Sequence, residues 1–425
     1  MRVLSLLVLS TVSLPGLGTE IALAQTVPIN AVTQRETELN ANSGINVGSF
    51  TLRPQVEVDV SYKSNIYALD TAKTGDEIFE SGAQVSLNSN FNANSVNLLA
   101  HLENQTYFKN SSQDATTYGS RIDGSLDISG RTKLSAIAEY DHLAESRESI
   151  GSFSQSNNRV FYNQYAANLD LAQQFNELQT TAAVRFMRLT YGSVSVNGQD
   201  ENLSYRNYST VQGTGEIVYG VHNLTRFVAH ATVEQRLYDY RDGNPQFSYA
   251  DLIDRSADGY RIEAGLQRSV TNIIQATLRI GYMHYKYRDP RLPVAAGLSY
   301  HGDAIWNVTP LTAVTIGADR QIDEAVTPDI GGNERDQVQL GVKHELLRTL
   351  ILSANLRYAF IHPVGLLPGG IDLPSRELEG GAGAHYYLTP HVMLLGSYDH
   401  SQREASSSNL VFHDDTIKFG VKLTK

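Results

Sequence analysis

The feature that most constrains this sequence is a two-residue periodicity that recurs in long segments from Thr51 onward. In residues 55–62 every second position is Val or Tyr, and the positions between them are Gln, Glu, Asp and Ser. Residues 122–128, 274–280 and 417–423 repeat this alternation of apolar with polar or small side chains. Successive side chains of a strand point to opposite faces, so the pattern indicates β-strands that have one apolar and one polar face.

The connections between these segments alternate in length. Short turns are expected near residues 92–94, 129–131, 175–177, 221–223, 271–272, 310, 347–349 and 389–391. Longer loops rich in Ser, Asn, Asp, Gly and Pro are expected near residues 65–77, 108–114, 147–157, 192–202, 241–256, 288–293, 324–334, 362–374 and 402–409. These boundaries predict about 18 strands (range roughly 16–18) of about 10 to 16 residues each, whereas strands of soluble sheets are usually about 5 or 6 residues long.

Long two-faced strands with short turns at one end and long loops at the other are typical of outer-membrane barrels. We therefore predict an all-β protein, a transmembrane antiparallel up-and-down β-barrel with short periplasmic turns and longer extracellular loops. A closed barrel also satisfies every backbone hydrogen bond inside the bilayer without leaving an edge strand. The alternative is a periplasmic or secreted sandwich or solenoid, whose strands also alternate but are shorter.

Composition argues against several other classes. No segment beyond the N-terminus approaches the roughly 20 apolar residues of a membrane-spanning helix. The 425 residues include no cysteine, which excludes disulfide frameworks, cysteine–zinc sites and cysteine nucleophiles. The net charge of −11 argues against nucleic acid as a partner, because phosphate contacts need clustered Lys and Arg. The mean hydropathy of −0.27 looks like that of a soluble protein, but a barrel strand needs an apolar residue only at every second position.

The N-terminus has the pattern of a secretory signal peptide. Arg2 precedes an apolar run over Val3–Leu14, and Ala22–Ala24 supplies small residues for cleavage. The polar stretch that follows is expected either to have no role or to act as a plug or partner tether. The expected location is the outer membrane of a Gram-negative bacterium, reached after cleavage. The predicted divisions are a signal peptide over 1–24, a periplasmic N-terminal extension over 25–50 and the barrel over 51–425.

On this register the polar face of each strand lines the lumen. Barrels of about 16 to 18 strands leave an aqueous channel unless something fills it, so the inward charges are candidates for setting passage by size and charge. Neighbours of opposite charge, such as Arg261 and Glu263, are expected to neutralise each other. The predicted lumen-lining residues are Glu103, Arg121, Asp123, Glu139, Arg185, Glu234, Arg236, Arg261, Glu263, Arg279, Asp303, Asp319, Lys343, Glu345 and Arg357. The aromatic residues predicted to mark the two bilayer interfaces are Tyr62, Tyr118, Tyr140, Tyr240, Trp306 and Tyr387.

Several short motifs carry a family resemblance. They are residues 48–54 (GSFTLRP) and 65–67 (NIY) near the N-terminus, and 343–348 (KHELLR), 355–358 (NLRY) and 384–389 (AHYYLT) in the C-terminal third. In this order along the chain they resemble the outer-membrane β-barrel porins of the second type from proteobacteria, which are often described as capsular or exopolysaccharide barrels. The resemblance implies an outer-membrane barrel, and in several members a link to exopolysaccharide export.

The C-terminus departs from the pattern of such barrels. They commonly end on an aromatic residue that the barrel assembly machinery reads, and this chain ends on Lys425. Phe419 is the candidate that could serve in its place.

The leading functional prediction is a pore for exopolysaccharide or small hydrophilic solutes. The alternative is a plugged structural or adhesion barrel that displays loops such as 241–256 or docks periplasmic polysaccharide-export proteins. An outer-membrane hydrolase is the third reading, and it is not favoured because the sequence has no Gly-x-Ser-x-Gly or His-Glu-x-x-His motif. The pairs His101 with Glu103 and His301 with Asp303 are more typical of a hydrated lumen than of catalysis. No metal or cofactor is expected; outer-membrane lipid and lipopolysaccharide are expected partners, and nucleic acid is not.

Overall fold

The computed structural model describes Val32 and residues 44–149, 158–196, 198–240, 253–270, 273–324, 330–366, 374–405 and 410–425. The predicted signal peptide, the predicted extension before residue 44 apart from Val32, the turn at 271–272 and the middle of several predicted loops, 241–252 among them, lie outside the described residues. Within the described ranges, no helix has the length and apolar character that a membrane span requires.

The described chain consists almost entirely of strands. Two single-turn 3-10 helices, η1 (Ser111–Gln113) and η2 (Ser204–Arg206), lie in the connections. The strands in chain order are β1 (Ile45–Val47), β2 (Phe50–Lys63), β3 (Asp76–Ser89), β4 (Ser95–Tyr107), β5 (Ala115–Asp127), β6 (Thr132–Ala144), β7 (Phe161–Gln174), β8 (Leu178–Tyr191), β9 (Ser193–Val196), β10 (Gln199–Asn202), β11 (Tyr208–Tyr219), β12 (Thr225–Tyr238), β13 (Ala257–Val270), β14 (Ile274–Tyr287), β15 (Ala295–Thr309), β16 (Thr312–Glu324), β17 (Ile330–Leu347), β18 (Leu350–Leu366), β19 (Ser375–Thr389), β20 (Val392–Ala405) and β21 (Phe412–Thr424).

Eighteen of these strands form one closed antiparallel barrel. Each strand from β2 to β7 pairs with the next one, β8 pairs with β11, and each strand from β11 to β20 again pairs with the next one. The barrel closes where β21 pairs with β2, with Val60 opposite Phe419. The predicted barrel of about 18 strands is therefore confirmed. Strand β1 adds a short hairpin to the start of β2, and β9 and β10 pair with each other in a separate hairpin.

The two ends of the barrel differ, as the sequence pattern predicts. At one end the connections are short, such as residues 310–311 and 390–391; we call this the short-turn end. At the other, the long-loop end, connections such as residues 192–207 carry β9, β10 and η2. Register shifts occur at the last residues of β15, β17 and β19, next to the tightest turns, where a β-bulge increases the local twist.

Side-chain exposure alternates along the barrel strands. On β2, Val60 is 51% exposed, whereas the adjacent Asp59 is 5% exposed. Ile262 and Glu263 of β13 show the same contrast. The apolar face therefore points outward, where lipid covers it in a membrane, and the polar face points into the lumen.

Candidate functional site

The inner face of the barrel is the candidate site. Arg185, for example, lies between the exposed outward residues Val184 and Phe186. All of the charged residues predicted to line the lumen occupy inner-face positions: Glu103 of β4, Arg121 and Asp123 of β5, Glu139 of β6, Arg185 of β8, Glu234 and Arg236 of β12, Arg261 and Glu263 of β13, Arg279 of β14, Asp303 of β15, Asp319 of β16, Lys343 and Glu345 of β17, and Arg357 of β18. Their part in solute passage stays a prediction.

Many inward charges form ion pairs within the wall. Arg236 Nη2 lies 2.9 Å from Glu234 Oε1, and Arg121 Nε lies 3.3 Å from Asp123 Oδ1. Arg357 of β18 contacts the carboxylate of Glu379 on β19. Because these pairs are only partly exposed, they hold the wall side chains in fixed positions more firmly than pairs on an open surface do.

The expected pairing of Arg261 with Glu263 is replaced by a cross-strand pair. Arg279 Nε of β14 lies 3.3 Å from Glu263 Oε2, and the Ser299 hydroxyl of β15 donates to the same carboxylate. Glu263 lies opposite Gly281, which has no side chain, so Arg279 reaches Glu263 diagonally from two residues away. The ion-pair partner of Glu263 is therefore determined by the adjacent strands and not by the charged residue two positions away on its own strand.

A loop segment crosses the lumen near the long-loop end. We call residues Glu145–Ser149, which follow β6, the strap. Glu145 is 8% exposed and accepts hydrogen bonds from Nη1 and Nη2 of Arg206 at 3.2 and 2.5 Å. Arg206 is fully buried in η2, and its guanidinium lies 4.1 Å from the ring centroid of Tyr191. Burial lowers the pKa of Arg206, but the nearby Glu145, Tyr191 and Glu324 together raise that pKa by more, so the guanidinium stays charged.

The strap is anchored at further points. Arg147 Nε and Nη2 donate to Gln113 Oε1 of η1 at 3.1 and 3.0 Å. The Glu148 carboxylate contacts Lys63 Nζ of β2, and the Glu148 carbonyl accepts a hydrogen bond from Arg403 of β20. Strands β6 and β20 are separated on the wall by β21 and β2–β5. The strap thus connects sectors of the barrel that do not pair with each other.

A ladder of alternating charges continues from the strap around the wall. Arg403 Nε lies 2.9 Å from Glu377 Oε1, and Arg335 Nη1 lies 3.2 Å from Glu377 Oε2. Arg335 Nε in turn lies 2.7 Å from Asp323 Oδ2. The ladder joins β16, β17, β19 and β20 at one level, so displacement of the strap would disturb a connected set of charges.

Tyrosines fill another part of the long-loop end. The inward rings of Tyr162 and Tyr191 have centroids 5.3 Å apart, and those of Tyr208 and Tyr238 have centroids 5.2 Å apart. Tyr162, Tyr208 and Tyr238 are buried together with Leu189. The cluster therefore joins the inner faces of β7, β8, β11 and β12 at this end of the barrel.

A second closely packed region involves strands β14, β17 and β18. Tyr287 of β14 lies across the backbone of β17 and β18. A Cβ on Gly331 would lie 2.5 Å from Tyr287 Cζ, and a Cβ on Gly332 would lie 2.8 Å from its hydroxyl. Glycine at these positions therefore provides the space that the ring occupies.

Three carboxylates of the mid-wall form no ion pair among the described residues. We call Asp59 of β2, Glu103 of β4 and Asp399 of β20 the acid trio. Asp59 lies opposite Gly420 and Asp399 lies opposite Gly381, and each carboxylate rests against the wall over its glycine. The acid trio therefore lacks the direct salt-bridge partners that many other charged residues of the wall have among the described residues.

Most of the predicted interface aromatics face outward. Tyr62, Tyr118, Tyr140 and Trp306 lie on the outer face, and the ring centroids of Tyr118 and Tyr140 are 6.3 Å apart. Tyr240 is buried in the connection after β12.

The interface prediction is wrong for Tyr387. This residue is 6% exposed on the inner face of β19, and the adjacent Tyr386, 41% exposed, takes the outward position. Two consecutive tyrosines at a strand end must face opposite sides, and composition does not say which of them faces lipid.

One of the two predicted histidine pairs forms, and the other histidine has a different partner. His101 Nε2 lies 3.6 Å from Asp141 Oδ1 rather than next to Glu103, and His301 Nε2 lies 3.4 Å from Asp303 Oδ1. Among the described residues, no group of three or more His, Cys, Asp or Glu side chains could hold a metal ion.

The comparisons with known proteins fit this geometry. The family model described as "Putative beta-barrel porin 2" matches residues 40–425. The chain belongs to this family. The match covers every strand of the porin and confirms the resemblance seen in the sequence. No curated protein matches the porin.

Several solved structures are similar to the porin. The copper transporter OprC is 10% identical with a TM-score of 0.46, over 87% of the porin and 63% of that chain. The ferric citrate transporter FecA is 10% identical with a TM-score of 0.46, over 83% of the porin and 60% of that chain. The porin thus spans less than two thirds of the length of these two proteins. OccK2 (OpdF) of Pseudomonas aeruginosa is 9% identical with a TM-score of 0.45, over 88% of the porin and 98% of that chain.

Proposed function

We propose that this porin is a passive outer-membrane pore for small hydrophilic solutes and takes no part in bond chemistry. The observation that carries the proposal is the wall itself: the inner face of the closed barrel is polar and charged on every side. Such a wall offers hydrogen bonds and counter-charges to a hydrated solute. It selects solutes by their size and by the electric field of the wall charges. The family membership supports the same function at the level of a porin.

Exopolysaccharide, which the family resemblance implies, is the finer alternative for the cargo. The strap argues against it, because Glu145 and Glu148 anchor the strap to other parts of the barrel. Passage of a polymer would require the strap to leave Arg206, Lys63 and Arg403.

A plugged barrel that displays surface loops is the second candidate. The buried tyrosines and the apolar contacts among Val160, Val194 and Leu203 at the long-loop end favour it, because they are packed like a protein core. The two candidates differ in one measurable property, which is conductance.

The experiment is reconstitution of the purified, folded porin into planar bilayers and into sugar-loaded liposomes. We expect stable conductance steps, and liposome swelling that is fast with monosaccharides and falls with oligosaccharide length. Folding is checked by the change of gel mobility on heating. Folded barrels that neither conduct nor admit monosaccharides would refute the pore and support the plugged barrel.

A further inference from the structure

The inner wall carries an apolar patch at the short-turn end. We call this the mouth patch, and it consists of Ala313 of β16, Ile351 of β18, Tyr387 of β19 and Met393 and Leu395 of β20. All five positions face the lumen, in a wall that is otherwise rich in charge. An apolar cluster there is unexpected for a surface that touches only water.

The burial of the mouth patch shows that something covers it. Ile351 is 1% exposed, and Ala313, Tyr387 and Met393 are also buried. Ile305 of β15, another apolar residue on the inner face near the same end, is 40% exposed. Val32, which belongs to no strand of the wall, is part of the same buried cluster, so a residue from outside the wall lies on the mouth patch.

Val32 is the described residue that lies there. It is 1% exposed and packs against the mouth patch. Chain length permits this position. The residues from Val32 to Ile45 reach about 43 Å when extended, and the wall from β2 round to β16 measures about 29 Å at the usual strand spacing. Strand β1, which ends this stretch, pairs with the start of β2 at the same end.

We propose that the mouth patch is a docking surface for the N-terminal segment of this same chain, seated by Val32, and that the contact of Val32 with this patch obstructs the short-turn end of the lumen. The proposal goes beyond passage itself, because it assigns a partner to a surface of the wall. The contact is apolar in an otherwise charged lumen, so it gives the segment one defined position.

The test uses the absence of cysteine from the chain. We would make Val32→Cys in the full-length porin together with Ala313→Cys, Ile351→Cys or Met393→Cys, one pair at a time, and oxidise the folded protein. We expect a disulfide in at least one pair, seen as a mobility shift on non-reducing gels that reduction reverses. The matched control pairs Val32→Cys with Leu394→Cys, which lies beside Met393 but faces outward. Equal cross-linking of the control, or no cross-link in any inward pair, would overturn the proposal.

A second measurement separates docking from pore function. Val32→Asp places a carboxylate against the mouth patch, so we expect faster maleimide labelling of a cysteine at Met393 and a larger conductance step. A cross-link in a barrel that never conducts would keep the docking proposal and refute the pore. A conducting barrel whose Val32→Asp form labels at the original rate would refute docking and leave the pore intact.

Discussion

The buried pair of Arg206 and Glu145 provides the sharpest test of the strap. Arg206→Ala removes a guanidinium that makes two hydrogen bonds to Glu145 and lies against Tyr191. Glu145 is then left buried without a cation. Removal of one partner from a buried ion pair costs about 3–5 kcal/mol. Because the strap is a loop and contributes to no strand of the barrel, we expect the strap to leave its site rather than the barrel to unfold.

A penalty of this size changes the ratio of released to docked strap by about two to four orders of magnitude. The contacts of Arg147 with Gln113 and of Glu148 with Lys63 oppose release, so the net change is toward the lower end of that range. We expect Arg206→Ala to raise single-channel conductance in planar bilayers. We also expect trypsin to cleave after Arg147 in intact folded barrels.

The matched control is Arg188→Ala. Arg188 makes the same two-pronged contact with Asp239, at 2.6 and 2.5 Å, but on the outer face, where the side chains are 27% and 35% exposed. An exposed pair of this kind contributes about 0–1 kcal/mol, so conductance and cleavage should stay as in the wild type. If Arg206→Ala folds, conducts as the wild type does and remains resistant to trypsin, the strap does not constrict the lumen.

Three further predictions concern the acid trio, Phe419 and Gly331. Conversion of the acid trio to amides should move the reversal potential in a KCl gradient away from cation selectivity, whereas Glu404→Gln, outward on β20, should leave it unchanged. Phe419→Ala should lower the amount of heat-modifiable barrel in the outer membrane more than Val421→Ala does, and equal effects would remove the assembly role of Phe419. Gly331→Val should destabilise the folded porin by about 1–3 kcal/mol through its clash with Tyr287, and Tyr287→Ala in the same chain should restore most of the loss of thermal stability.

Much of the barrel could be predicted from residue order because strand faces follow a strict two-residue period. Once Val58 and Val60 are taken as outward, Asp59 must point inward, and the same parity holds along each strand up to the register shifts at the ends of β15, β17 and β19. A one-residue error would move every apolar side chain into the lumen, so the register is strongly determined. This is why all the predicted lumen charges lie on the inner face, whereas the pairing of Glu263 with Arg279 required the positions of neighbouring strands.

The strap and the mouth patch could not be derived in this way because loops have no period. Glu145 and Arg206 are 61 residues apart, and Glu148 and Arg403 are 255 residues apart. Only the dense charge of residues 145–148 inside a loop could have suggested that this segment binds charged groups elsewhere. Val32 gave less of a signal, because one valine in a polar segment does not indicate where it packs.

The strap and the segment that carries Val32 lie at opposite ends of one lumen and share no residue, which leads to a quantitative expectation. If both narrow the same path, their electrical resistances add in series, and opening one end leaves the other in control. Arg206→Ala and Val32→Asp should therefore each raise conductance modestly, and the double variant should exceed the sum of the two increments. Distant sites with independent structural effects normally show additive free energies, so this excess would arise from the shared path and not from contact between the sites. Increments that simply add would mean that the two segments do not obstruct a common channel.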